Sequence, residues 1–358
     1  MSPPGRPKGE YRSAQHEGTP VNGLVVGKFA PLHLGHEALL QHALAHCGRL
    51  LVLSYTNPEF AGCGVVRRSA WLRRCCPSAE VQVIDDHWLQ ARGSALRLPP
   101  NAAPEAEQQR FLGLLLRDVL RAPVDAIFAS EDYVHPTAAT LSALLGRDVA
   151  ARPFDPQRLA VPISATRIRA EPHRHRRFLD PQVYAGFVLR VALVGGESTG
   201  KTSLARELAA HYGSVWAAEF GRELWEAQSG QLGEPDLLRI AQTQAAREDE
   251  LLPRAHQVLP CDTTPLVTHG YSEAMFGAAV PALQALSRRA YDRWLLCEPD
   301  FPLVQDGTRR DEAFRQWQHA WYEARLTERG IPFTRLRGTP AERLAQAVAA
   351  IGAPQPAD

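Results

Sequence analysis

The sequence contains no run of about 18 consecutive apolar residues, so nothing in it reads as a membrane-spanning helix. It also lacks a charge excess. A net charge of +1 on 358 residues argues against a protein that neutralises many nucleic-acid phosphates. Cysteine is sparse: six residues, with no C-x-x-C pair. The adjacent Cys75 and Cys76 suit neither a zinc knuckle nor a disulfide framework, and the pattern reads as reduced thiols in a cytoplasmic protein. The first 20 residues have no apolar core, so no signal peptide is expected there, and they read as a disordered lead-in. No internal repeat of 20 to 50 residues is evident. What remains is ordinary globular composition, 45% hydrophobic and 22% charged. At about 150 residues per domain, the length suggests two domains.

Short apolar runs alternate with helical patterns from end to end. In the first half, strands are expected at 23–28, 49–55, 81–85 and 124–129, and helices at 36–46, 66–75, 105–121 and 136–145. In the second half, strands are expected at 188–194, 256–261, 293–297 and 333–336, and helices at 200–212, 235–251, 311–328 and 339–351. This rhythm predicts an α/β chain of two parallel-sheet domains, with ligands at the carboxyl ends of the strands. "RAEPHRHRRFLDPQ", Arg169 to Gln182, interrupts it as a polar, basic connector. The expected organisation is a lead-in over 1–21, one domain over 22–180, a second over 187–352, and a tail over 353–358.

The clearest chemical signal lies in "LRVALVGGESTGKTSLARELAAHYG". Gly195-x-x-x-x-Gly200-Lys201-Thr202 is a complete phosphate loop between an apolar strand and an amphipathic helix. Gly195, Gly196, Glu197, Ser198, Thr199 and Gly200 supply the backbone that curls around phosphates. Lys201 reaches the β- and γ-phosphates, while Thr202, followed by Ser203, offers a hydroxyl to Mg²⁺. ATP is the expected co-substrate. Phosphoryl transfer also needs a carboxylate, and Asp262 ends a short apolar run where one that organises a metal is expected. Glu219 and Arg222 follow the run Val215 to Ala218. Asp306, Arg309 and Arg310 fall in a loop before a helix, where a lid could bring arginines onto phosphate.

The first half carries a second phosphate-type pattern. In "GLVVGKFAPLHLGHEALL", His33 and His36 bracket Leu34 and Gly35 where a strand becomes a helix, and free backbone N–H groups there favour an anion. "GKFAPLHLGH" reads G-x-F-x-P-x-H-x-G-H over Gly27, Lys28 and Phe29 to His36, and "ISATRIR" reads I-S-x-T-x-x-R through Ser164, Thr166 and Arg169. Together these resemble the nucleotidylyltransferase superfamily. The resemblance implies a Rossmann-like domain in which the histidines hold the bridging and leaving phosphates of ATP, Lys28 adds charge, and Ser164 and Arg169 clamp the triphosphate tail, with Arg167 a weaker candidate.

An adenylyltransferase pattern followed by a phosphate-loop kinase resembles the NadR-type bifunctional enzymes. The resemblance spans roughly residues 22 to 350 and rests on "RRSAWLRRCCP", "FASEDY", "AEFGREL", "CDTTPLVT" and "VQDGTR" as well as the two motifs. It implies a kinase half that phosphorylates nicotinamide riboside to nicotinamide mononucleotide, NMN. The other half would join NMN to AMP from ATP, giving NAD and pyrophosphate. Trp71, Trp88 and Asp132, with Ser130 and Glu131 beside it, are then expected at the nucleotide or nicotinamide. Glu219 and Arg222 are expected at the riboside, and Asp262 as metal organiser or base. Two departures stand out. The lead-in is too short for the helix-turn-helix repressor domain that opens some family members. Asp262-Thr263-Thr264 replaces the Asp-Thr-Asp frequent in the family, leaving one carboxylate instead of two. The transfer motifs read ATP and not the acceptor, so phosphopantetheine or flavin mononucleotide remains an alternative, as does a nucleotide sensor without turnover. The sequence leaves the oligomeric state open, a homo-oligomer included.

Overall fold

The computed structural model describes residues 21–305 and 309–355. The chain divides into two compact units. Of the described residues, the first comprises 21–28, His36–Glu59 and Leu72–Ala160, and the second Phe29–Gly35, Phe60–Trp71, 161–305 and 309–355. Among the described residues no helix is long and apolar enough to cross a membrane.

The strands of the first unit and the helices that follow them run β1 (Asn22–Val26), α1 (Leu34–His46), β2 (Arg49–Tyr55), α2 (Val65–Cys75), β3 (Glu80–Ile84), α3 (Asp86–Gln90), α4 (Glu105–Leu114), β4 (Ala126–Ala129), α5 (Val134–Leu145) and β5 (Ala150–Pro153). All pairings are parallel and the order is β3-β2-β1-β4-β5. From β1 the chain builds outward through β2 and β3, then returns to add β4 on the other side. The loop after β1 therefore lies at the switch point, where such sheets open a crevice. Leu24, Leu53 and Ile127, all fully buried, join Leu115 and Leu141 in the core of this unit. The helix expected over 105–121 is α-helical only to Leu114 and widens into a π-helical stretch over Leu115–Leu120. Strand β5 carries no apolar run and was not expected.

The second unit contains α6 (Ala165–Ala170), α7 (Pro181–Tyr184), β6 (Leu189–Val194), α8 (Lys201–Tyr212), α9 (Phe220–Ala227), α10 (Glu234–Leu251), β7 (Val258–Asp262), α11 (Pro265–Phe276), α12 (Pro281–Leu286), β8 (Arg293–Cys297), α13 (Glu312–Glu328), β9 (Thr334–Leu336) and α14 (Pro340–Ile351). Its sheet is again wholly parallel, ordered β7-β6-β8-β9. Central β6 alternates sides: Val191 and Leu193 enter the core beneath α8 and α14, and Ala192 and Val194 enter the one shared with α11 and α13. The run Val215 to Ala218 contributes only a bridge, Ala217 to Cys261. The basic connector is ordered as the short 3₁₀ turn Arg176–Phe178.

Leu193 is fully buried in the strand that delivers the phosphate loop. Leu193→Ala is expected to lower stability by about 2–5 kcal/mol through lost burial and a cavity, measured by denaturant unfolding of the full chain.

Candidate active sites

The phosphate loop leaves β6 and turns into α8 by backbone angles that glycine tolerates. Gly195 has φ +145° and Gly200 φ +78°. Space imposes the same choice. A Cβ on Gly195 would lie 2.7 Å from the Cys297 carbonyl oxygen, and one on Gly196 would lie 2.7 Å from that of Arg315. The loop also bonds to itself. Thr199 Oγ1 donates to the Gly196 carbonyl at 2.8 Å, and Lys201 Nζ donates to the carbonyls of Gly195 and Gly196 at 3.0 and 2.8 Å. Glu197 N–H donates to Gln318 Oε1 at 2.9 Å, while the Glu197 carboxylate accepts from Tyr271 Oη at 2.9 Å and from the Arg310 N–H at 2.6 Å.

This loop forms one wall of a cleft of 480 Å³ that also includes Glu219, Arg222, Trp225, Thr268, Tyr271, Arg309 and Arg310. Ser198 Oγ accepts from Val304 N at 3.0 Å and from Arg309 Nη1 at 3.3 Å, and the Arg310 guanidinium lies 4.0 Å from the Phe314 ring centroid. Asp306, the remaining lid residue expected from sequence, lies outside the described residues.

Strand β7 pairs beside β6 so that Asp262 is level with Leu193, one residue short of the end of β6. Asp262 is 1% exposed, and burial raises its pKa; a hydrogen bond from Thr202 and the charge of Lys201 oppose that rise. Asp262 Oδ1 is buried with no hydrogen-bond partner, and so is the hydroxyl of Thr264 two residues on. A hydroxyl beside a carboxylate with an unused oxygen is a donor set suited to a hard divalent cation such as Mg²⁺. Glu219 stands at the residue just before α9, and its side chain makes no capping hydrogen bond to the helix. Burial, with Asp262 adding repulsion, pushes its carboxyl up to about 7, against the pull of Lys201 and Arg222. The sequence did not single out Tyr271 or Trp225. Tyr271 lies in "LVTHGYSE", a stretch too uniformly buried to show helical periodicity.

The other motif begins at the end of β1. Gly27 N–H donates to the Leu53 carbonyl at 3.1 Å, Ser54 Oγ donates to the Lys28 carbonyl at 3.0 Å, and Lys28 Nζ donates to the Asn101 carbonyl at 2.9 Å. In the following loop Phe29 is buried at φ +46°. His33 is 5% exposed, and its Nδ1 accepts the Gly35 N–H at 3.2 Å. That bond fixes the neutral ring as an Nε2 donor. A Cβ on Gly35 would lie 3.1 Å from the His33 ring, so a side chain there would press on the imidazole. His36, half-buried, sits in the first turn of α1. Arg169 on α6 donates to the Ala30 carbonyl and, at 3.0 Å, to Thr166 Oγ1, and its guanidinium lies 4.1 Å from the Phe60 ring centroid. Ser164 caps α6 by accepting the Arg167 N–H at 3.3 Å. Within the second unit, the loop of His33 and the I-S-x-T-x-x-R motif are thus brought together.

Other expected residues stand apart from these contacts. Trp71 is 6% exposed, and a Cβ on Gly186 would lie 3.3 Å from its ring. Trp88 packs against the first core with Arg92 3.6 Å over its ring. Asp132 is exposed in the turn before α5.

Residues 190–343 match the model of an AAA domain. Over 299 residues the chain is 26% identical to the trifunctional NAD biosynthesis/regulator protein NadR of Salmonella typhimurium, an alignment covering 80% of this chain and 71% of that protein. The Escherichia coli protein of the same name is 28% identical over 304 residues, with the same coverage. The chain is homologous to NadR. The fold agrees. A NadR crystal structure in complex with NAD and AMP-PNP superposes with a TM-score of 0.68 at 21% identity, covering 94% of this chain and 98% of that one. A NadR structure in complex with NR gives 0.66 at 20% identity, covering 93% and 97%.

The raised pKa of Glu219 makes stability depend on pH. Between its ordinary value of 4.5 and about 7, the folded chain holds a proton that the unfolded chain has released. Stability is therefore lost as pH rises through that window, and the loss is complete above it. Glu219→Gln is expected to flatten this fall, measured as thermal midpoint against pH. Parallel slopes for variant and parent would place the carboxyl in water.

Proposed function

We propose that the chain is a bifunctional transferase of NAD biosynthesis that phosphorylates nicotinamide riboside with ATP and adenylylates NMN with ATP. Homology to NadR supports a nucleotide-binding transferase of NAD biosynthesis, and the two motif-bearing loops supply a separate chemistry for each step. The observation that carries the proposal is the grouping of Lys201, Thr202, Asp262, Glu219 and Arg222 about a complete phosphate loop, in a chain that also holds His33, Gly35, His36, Ser164 and Arg169 in the nucleotidylyltransferase pattern.

In the kinase step the 5′-hydroxyl oxygen of the riboside bonds to the γ-phosphorus of ATP, the bond from that phosphorus to the β-bridging oxygen breaks, and ADP leaves. Thr202 and Asp262 would hold Mg²⁺, whose charge offsets that developing on the phosphates. Lys201 exchanges its loop carbonyls for phosphate oxygens. Glu219, at about 7, is poised to take the hydroxyl proton. Arg222 and Arg309 meet the acceptor and the triphosphate, and Trp225 and Tyr271 give the pyridinium ring a flat apolar wall.

In the adenylyl step a phosphate oxygen of NMN bonds to the α-phosphorus of a second ATP, and pyrophosphate leaves. No covalent nucleophile is needed. His33, as an Nε2 donor, and His36 at the start of α1 stabilise the charge at the α-phosphate, while Arg169 and Ser164 hold the departing pyrophosphate. The domain limits that match this assignment are 22–180 for adenylyl transfer and 187–352 for the kinase.

Lys201→Ala is expected to cut riboside phosphorylation by about 10²-fold or more and to leave adenylyl transfer to supplied NMN intact; His36→Ala is expected to do the reverse. Chromatographic analysis of products from riboside or NMN with Mg-ATP reads both. Loss of both activities in either folded variant overturns the two-site assignment. NMN accumulating without NAD would send the first half to another acceptor. A second expected outcome is a riboside kinase rate that rises with pH through about 7 and loses that rise in Glu219→Gln.

A further inference from the structure

Against the phosphate loop, and outside the lining of the cleft, lies an arginine that no motif picks out. Arg343 on α14 is 3% exposed. Its guanidinium reaches four acceptors on three separate pieces of chain. Nη1 donates to the Thr199 carbonyl at 2.9 Å, Nη2 to the Glu298 carbonyl at 2.8 Å and to Asp300 Oδ1, and Nε to the Gly338 carbonyl at 2.9 Å. Its flat face lies 4.7 Å from the ring centroid of Phe301, whose carbonyl is in turn held by Arg315 at 2.7 Å. Burying an arginine against one partly exposed carboxylate is costly unless its donors are used. Here they tie the phosphate loop, the exit of β8 and the β9–α14 turn into one block.

The contact at Thr199 has a specific consequence. A trans peptide is planar, and its C=O and N–H point in opposite directions. The Thr199 carbonyl and the Gly200 N–H belong to the same peptide. A guanidinium that grips the carbonyl from behind therefore turns the N–H away from itself, toward the cleft that Gly200 lines. At φ +78°, Gly200 has the freedom to rotate that peptide, and a fixed donor is what restrains it.

We infer that Arg343 is a positioning residue that sets the Thr199–Gly200 peptide, and with it the aim of the phosphate loop's N–H groups at the nucleotide. The inference rests on the kinase reading only in taking the loop to bind ATP. A lysine in this place supplies the charge and three donors on one nitrogen, but not the planar fork that sets three separate nitrogens against three segments.

The test is calorimetric titration of the full chain with Mg-AMP-PNP. Lys201→Ala serves as the reference that removes binding at the phosphate loop and leaves any at the other motif. In Arg343→Lys and in Arg343→Ala the dissociation constant of the loop site is expected to rise about tenfold, the loss of roughly one charge-assisted hydrogen bond. Low-millimolar guanidinium chloride restores much of the affinity to Arg343→Ala and none to Arg343→Lys, and sodium chloride restores neither. Full affinity in Arg343→Lys overturns the inference. So does an affinity in Arg343→Ala that falls only in step with thermal stability and ignores guanidinium. A parent chain that binds Mg-AMP-PNP at the loop but does not phosphorylate riboside overturns the kinase assignment alone. A parent chain that shows no Lys201-dependent binding overturns both.

Discussion

A phosphate loop binds only if its backbone is held as a rigid concave cradle, and in this chain that rigidity comes from close backbone contact on two sides. Gly195 lies against the carbonyl of Cys297 at the end of β8, and Gly196 against the carbonyl of Arg315 on α13. Neither site has room for a Cβ. The loop is thus seated on the neighbouring strand and helix, and the groups proposed to do chemistry are placed relative to that seat. Asp262 comes in register on β7, Glu219 from the start of α9, and Tyr271 and Arg310 through the Glu197 carboxylate.

The histidine motif meets a comparable demand differently. The histidine pattern follows a buried central strand at the switch point of a five-stranded parallel sheet. Its close approach is local: Gly35 lies against the ring of His33, and its N–H donates to Nδ1 of that ring, leaving the proton of the neutral imidazole on Nε2. On the proposed assignment, one loop would present backbone amides to phosphate, and the other a side-chain donor. That division suits transfer at the terminal phosphorus in one case and at the α-phosphorus in the other.

Much of this could be read in the sequence, for physical reasons that also explain what was missed. Strands β2 and β8 fall where their continuous apolar runs predict, because parallel strands are buried on both faces. The edge strand β5, "AARP", is half exposed and gave no such signal. Helix α11 was missed because seven of its twelve residues are buried, from Pro265 through Gly270 and again at Ser272, so no polar face marks its period. Tyr271 was missed with it. Lys201 and Thr202 were legible because their spacing is fixed by the phosphates themselves. Arg343 follows them by about 140 residues in a generic amphipathic helix, and only the fold brings its guanidinium to Thr199.

The bonds from Lys201 to the carbonyls of Gly195 and Gly196 carry one more consequence. The lysine is held by the loop itself: its ammonium donates to carbonyls that the tight curve leaves available. If the loop takes a triphosphate, as proposed above, the cradle is already seated and little chain has to order. Association at this loop therefore carries the small heat-capacity change of a rigid dock, without the large one of a segment that folds around its guest.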